Sequence, residues 1–189
     1  MTAADLDAEF GAANDYGTAV IERFRQLGIP DETIFGLRSV LGIARVQADP
    51  GGLWQPHHDG KWMLIVPEGE PAQPCGWAEL HDLVAFHTSE PGRWWTRTGT
   101  VDLLGEAHVA ELRLLGGPLR LYSTPLAWLR AGCAGACIID WRFDPHVALG
   151  GVEAIHCDTD VLAARLERRL RETAPRGPAI TTGGARVAA

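Results

Sequence analysis

Residues 118 to 172 alternate short apolar runs with capped helical patterns, and this alternation limits the possible folds more than any other feature of the chain. "LRLY" (119–122), "GACIID" (135–140) and "VEAIHC" (152–157) have the length and residue types of buried strands. Between the first two lies "TPLAWLRAG", where Thr124 offers a capping hydroxyl, Pro125 suits the first helical position and Gly132 suits the stop. After the third, Leu162, Ala163, Leu166 and Leu170 recur on one helical face, and Arg165, Arg168, Arg169 and Arg171 cover the other. Strands that alternate with helices imply a parallel sheet, because a parallel neighbour needs a crossover long enough to hold a helix. The expectation is one sheet of strands 119–122, 136–140 and 152–157, with helices at about 125–131 and 160–172.

The upstream half reads differently. Residues 1–12 are small, polar and acidic and are expected to fray. From Asp15, the spacing of Val20, Ile21, Phe24 and Leu27 predicts a helix that stops at Gly28 and Pro30. "IPDETIFGLRSVL" adds a helical turn capped by Asp31 or Thr33. "GIARVQAD", "GKWMLIVPE" and "HDLVAFHT" read as strands, and "EPGRWWTRTGTVDLLG" as a turn leading into a short helix. Asp59-Gly60 is a two-residue hairpin signal that would set Trp54 and Trp62 on its two arms, one of them with its ring on the sheet. The fold class is therefore α/β, with α+β character at the N-terminal part: a small antiparallel sheet with an N-terminal helix, then a short βαβ Rossmann-like unit and a final helix. The expected division is a tail at 1–12, an α+β subdomain at 13–117, an α/β subdomain at 118–172 and a tail at 173–189.

With 46% hydrophobic and 22% charged residues, the chain has ordinary globular composition. A formal charge of −7 does not indicate a nucleic-acid partner, since phosphate binders usually present a basic face. No apolar stretch approaches the ~18–20 residues of a membrane span, and "MTAADLDAEFGAANDYG" lacks the basic and apolar regions of a signal peptide. Both point to a cytoplasmic protein without a membrane partner. Cys75, Cys133, Cys137 and Cys157 match no zinc-ribbon or C-x-x-C spacing and read as small hydrophobes in a reducing compartment.

"LRLYSTPLAWLRAG" and "AIHCDTDVLAARLERRL" together resemble the toprim domain of bacterial-type primases and topoisomerases. In that family a strand ends in Glu-Gly, a helix and a strand follow, and a later strand ends in Asp-x-Asp before a helix. The resemblance covers residues 118–172 and carries Asp158 and Asp160 onto the Asp-x-Asp positions. Ser123 and Thr124 stand where the family has glutamate and glycine. A hydroxyl replaces a carboxylate neither as a magnesium ligand nor as a general acid or base, so the resemblance implies a toprim-like fold without the family's catalysis. The first half resembles small uncharacterised proteins of phage and integrated mobile elements, in phrases such as "DLVAFHTSEPGRWWTRTGTVDLLG".

Three functional readings follow. The first is an accessory protein of mobile-element DNA replication or processing, toprim-like and inactive, needing no cofactor and working with a protein partner. The second is a Mg²⁺-dependent phosphotransferase or nuclease, in which Asp140, Asp158 and Asp160 converge at strand ends. The third is a protein-binding module, an inhibitor or an assembly factor. Against the second, Asp158 or Asp160 serves as the N-cap of the last helix. Arg93, Trp94, Trp95 and Arg97 form the one candidate nucleic-acid surface, with indoles to stack bases and guanidinium groups to hold phosphates. Core packing is the competing use of the two tryptophans. His57-His58-Asp59 contains metal-ligand types, but neighbours on a strand point to opposite faces. At a hairpin tip they are solvated turn residues, and no metal site is expected.

Overall fold

The computed structural model describes residues 3–36, 40–71 and 77–174. Of the tail expected at 173–189, Thr173 closes the last helix, and residues 175–189 lie outside the described residues, as does Cys75. The fold is α/β and opens with α1 (Ala3–Asn14), α2 (Thr18–Gln26) and α3 (Asp31–Ile34). An antiparallel sheet follows, made of β1 (Gly42–Ala48), β2 (Trp54–Pro56), β3 (Lys61–Pro71), β4 (Trp77–Phe86) and β5 (Trp94–Thr96), in the order β2-β1-β3-β4-β5. The second sheet contains β6 (Leu103–Leu104), β7 (Pro118–Tyr122), β8 (Ala136–Ile138) and β9 (Ala154–Cys157), in the order β6-β8-β7-β9. Its helices are α4 (Glu106–Leu115), α5 (Pro125–Arg130), α6 (Pro145–Ala148) and α7 (Asp160–Thr173). β7 runs parallel to both β8 and β9, as the alternation in the sequence requires. Among the described residues, no helix is long and apolar enough to cross a membrane.

Period-2 geometry assigns the core residues to layers. On β3, Met63 and Ile65 face α1, while Leu64 and Val66 face the second sheet. Both faces of the first sheet are thus covered, which is why "MLIV" is apolar without interruption. β8 repeats the pattern: Ala136 and Ile138 pack with Leu162 and Leu166 of α7, and Cys137 packs on the opposite side with Phe86 and Trp128. The apolar layer between the sheets takes Phe24, Leu64 and Phe86 from the first half and Leu104, Leu126 and Leu129 from the second. No boundary at residue 117/118 separates the cores, because β6 and α4, both upstream of it, already belong with the second sheet.

Three expectations are corrected. Residues 3–14 do not fray: Leu6, Phe10 and Ala13 recur at helical spacing and are buried on the sheet. Gly42 makes this close docking possible, since a Cβ there would sit 2.9 Å from Cβ of Ala13. Neither Asp31 nor Thr33 caps α3, whose N-cap is Pro30; Asp31 instead pairs with Arg25 at 2.8 Å. Asp59-Gly60 does not close a two-stranded hairpin either, because β1 lies between β2 and β3. The true hairpin turn is Asp49–Leu53, where the Asp49 carboxylate accepts the Leu53 N–H at 2.9 Å. Gly60 crosses over Val46 so closely that no Cβ fits. Trp54 does pack beneath this segment, buried and donating its indole N–H to the Leu83 carbonyl at 2.9 Å, while Trp62 stays half exposed under Arg45.

Candidate functional site

The ends of β7 and β9 bring together the positions that the sequence marks. β7 finishes at Tyr122, and Thr124 then caps α5 by accepting the Ala127 N–H at 3.1 Å. The parallel ladder carries β9 past Cys157, so that the Asp158 N–H donates to the Leu121 carbonyl at 2.9 Å. This register sets the Asp158 carboxylate beside Ser123. Its Oδ1 and Oδ2 each lie 3.0 Å from the Ser123 N–H, and Oδ2 accepts the Ser123 hydroxyl at 2.9 Å. Thr159, between the two aspartates, is the N-cap of α7 and accepts the Leu162 N–H at 3.2 Å. Asp160 is the first helical residue, exposed and favourably placed at the positive end of the helix. The expected aspartate cap is therefore a threonine cap. Its extended backbone (φ −141°, ψ 149°) is natural for a β-branched residue leaving a strand.

Asp140 is engaged elsewhere. Its carboxylate accepts the backbone N–H of Arg142 at 2.8 Å and the guanidinium at 2.6–3.0 Å, and these hydrogen bonds hold it below the usual carboxylate range. β8 and β9 flank β7 on opposite sides, two strand spacings or about 10 Å apart. Each carboxylate is bonded to a partner of its own, Asp140 to Arg142 and Asp158 to Ser123. Among the described residues, only His57, His58 and Asp59 form a group of three metal-ligand side chains, with ligand atoms within 4.8 Å of one another. The residues at the strand ends do not fit the magnesium site of the catalytic alternative.

The histidine group corrects the opposite-face argument. These residues lie in a turn, where the two rings stack at 4.8 Å. They already satisfy one another: His57 Nδ1 accepts the Asp59 N–H at 3.2 Å, and His58 Nε2 meets the Asp59 carboxylate at 2.8 Å. The expectation of an exposed turn thus describes His58 and Asp59 well.

Arg93, Trp94, Trp95 and Arg97 do not make a stacking platform. Trp94 packs between the sheets and donates to the Ile139 carbonyl at 2.9 Å, whereas Trp95 is buried on the other face with Met63 and Ile65. Arg93 covers the Trp95 ring at 4.8 Å. Arg97 is held by both oxygens of Glu9, at 2.7 and 2.8 Å. One indole goes to each side of the sheet, and the second arginine is already neutralised.

Two carboxylates escaped the reading of the sequence. Asp82 is fully buried, and its oxygens accept the N–H groups of Leu83, Arg97, Thr98 and Thr100 at 2.8–3.0 Å, shaping the loop after β5. Glu68 is also buried, at a bulge where Gly69 passes too close to Glu79 and Leu80 to carry a side chain. It accepts the Gly105 N–H at 2.6 Å and the Glu106 N–H at 3.3 Å, so a residue of the first sheet caps α4 on the second. Burial pushes its carboxyl up to about 8, against the backbone donors that pull it down. The available signal was an acid within an apolar run, "LIVPEG" and "LHDLV", which costs free energy unless donors meet it. No family model, curated protein or solved structure matches the chain.

Proposed function

We propose that this chain is a toprim-like accessory protein of mobile-element DNA replication or processing, acting through a protein partner and not by catalysis of its own. One observation carries the reading: the Asp158 carboxylate is closed by the hydroxyl and N–H of Ser123. The contact has two consequences. It pairs the first residue of Asp-x-Asp with the end of β7, where the family resemblance puts a glutamate, and this supports the toprim-like assignment. It also commits part of the carboxylate's roughly four acceptor sites to neutral donors of the same chain, which compete with a metal ion for it. The formal charge of −7, and the absence of a free aromatic–arginine surface at 93–97, favour a protein partner over bare nucleic acid. The test is purification of the tagged chain from its native host, alongside a DNA-cleavage and nucleotide-transfer assay with Mg²⁺. Replication or DNA-processing proteins should co-purify in stoichiometric amount, and the chain alone should turn over nothing. Magnesium-dependent turnover that disappears in Asp158→Ala would replace this reading with the catalytic one.

A further inference from the structure

Three departures from a relaxed interior line a single cleft of about 320 Å³ between the two sheets. Thr33 Oγ1 is the one buried side-chain polar atom among the described residues without a hydrogen-bond partner. Cys133 is the one described non-glycine residue with positive φ, at 61°. Glu68 is a carboxylate only 3% exposed. Each costs free energy that a purely structural packing would avoid, and such costs concentrate where a ligand is bound.

We propose that this cleft is a binding site for a small organic cation, an alkylguanidinium or alkylammonium head with N–H donors. The lining supplies the chemistry. Glu32 and Glu68 provide two carboxyl groups and Trp77 and Trp128 two indoles, and among the described lining residues there is neither Lys nor Arg. An aromatic-walled cleft with an excess of carboxylate attracts cations through both Coulomb and ring-quadrupole terms. Anions are disfavoured, because Glu68 already takes the N–H groups of Gly105 and Glu106 at the start of α4. A donor head between Glu68 and Thr33 would find on one side a carboxyl that ionises to meet it and on the other the unused hydroxyl. The volume suits a head with a short apolar body. This site is separate from the Ser123–Asp158 contact and does not depend on the accessory role.

Isothermal titration of the whole chain with n-butylguanidine and n-butylamine tests the proposal, with acetate and inorganic phosphate as anionic controls. At least one cation should bind saturably with a dissociation constant of about 1 mM or tighter, the range open to a fragment of that size, and neither anion should bind. Thr33→Val, which keeps the shape and removes the hydroxyl, should melt no lower than wild type and weaken binding about tenfold, the loss of one hydrogen bond. Glu68→Gln should weaken it further. Repeating the titration in buffers of different ionisation enthalpy should detect proton release near neutral pH, since a cation favours the ionised form of Glu68. Among the described residues, the other titratable groups of the lining are Glu32, His108 and Cys133, and Glu106 acts on Glu68 from beside it. No saturable binding by either cation, or binding that a folded Thr33→Val protein leaves unchanged, overturns the proposal.

Discussion

Asp82 illustrates how a single side chain can hold a loop. Four backbone N–H groups converge on its carboxylate, none of them from a helix, and of these the Arg97 N–H also reaches the Leu83 carbonyl at 2.9 Å. Asp82→Ala withdraws this acceptor from one buried and three part-buried donors, each such loss worth about 1–3 kcal/mol where no other acceptor replaces it. Chemical denaturation should show a loss of more than about 3 kcal/mol, far beyond an ordinary surface substitution. Glu68 acts in the opposite sense. Its folded-state value of about 8 lies above the ordinary 4.5, so between these values the folded chain holds a proton that the unfolded chain has lost. Stability from this group is then full below about pH 4.5 and declines as pH rises towards 8, by roughly 3–5 kcal/mol. Glu68→Gln should flatten that decline in melts taken from pH 5 to pH 8. An unchanged slope would mean that another group governs it.

The start of α7 shows what the sequence makes legible at the level of elements and what it conceals. Apart from α6, which the sequence reading missed, helix and strand identities from residue 118 onward follow from local signals: the spacing of Leu162, Leu166 and Leu170, the Thr124-Pro125 start, and the apolar run before Asp140. "CDTD" offers three residues able to cap a helix, and local propensity favours aspartate. The choice fell to Thr159 because Asp158 still belongs to the β9 ladder, and its side chain turns to Ser123, 35 residues away. Long-range partners of that kind leave no trace in spacing. The same limit hid the edge position of β2, the docking of α1 and the Glu68–α4 link, each fixed by a contact between distant segments. Thr159→Ala should cost about 0.5–2 kcal/mol, and Asp160→Ala only the few tenths of an exposed first-turn acid. If urea melts reversed that order, the cap would belong to Asp160.

At the scale of the whole molecule, the apolar layer between the sheets makes one body of what the sequence divides in two. Phe24, Leu64 and Phe86 share a cluster with Leu104, Trp128 and Leu129, and the Trp94 indole bridges the sheets to Ile139. Calorimetry should therefore record a single unfolding transition, with van't Hoff and calorimetric enthalpies equal; two transitions would indicate separable halves. The half from residue 118 thus sits on the first sheet, and its strand-end groups are engaged from within: Asp158 by Ser123, Asp140 by Arg142 and the helix start by Thr159. That closure is the central claim, and a magnesium titration of the melting temperature tests it most directly. Ligand stabilisation follows RT ln(1 + [L]/Kd) and vanishes when Kd far exceeds the added metal. The melting temperature should stay level as Mg²⁺ rises to about 10 mM, in wild type and in Asp158→Ala and Asp160→Ala alike. A Mg²⁺-dependent rise in wild type that both substitutions abolish would contradict the account and restore a catalytic metal site to the strand ends.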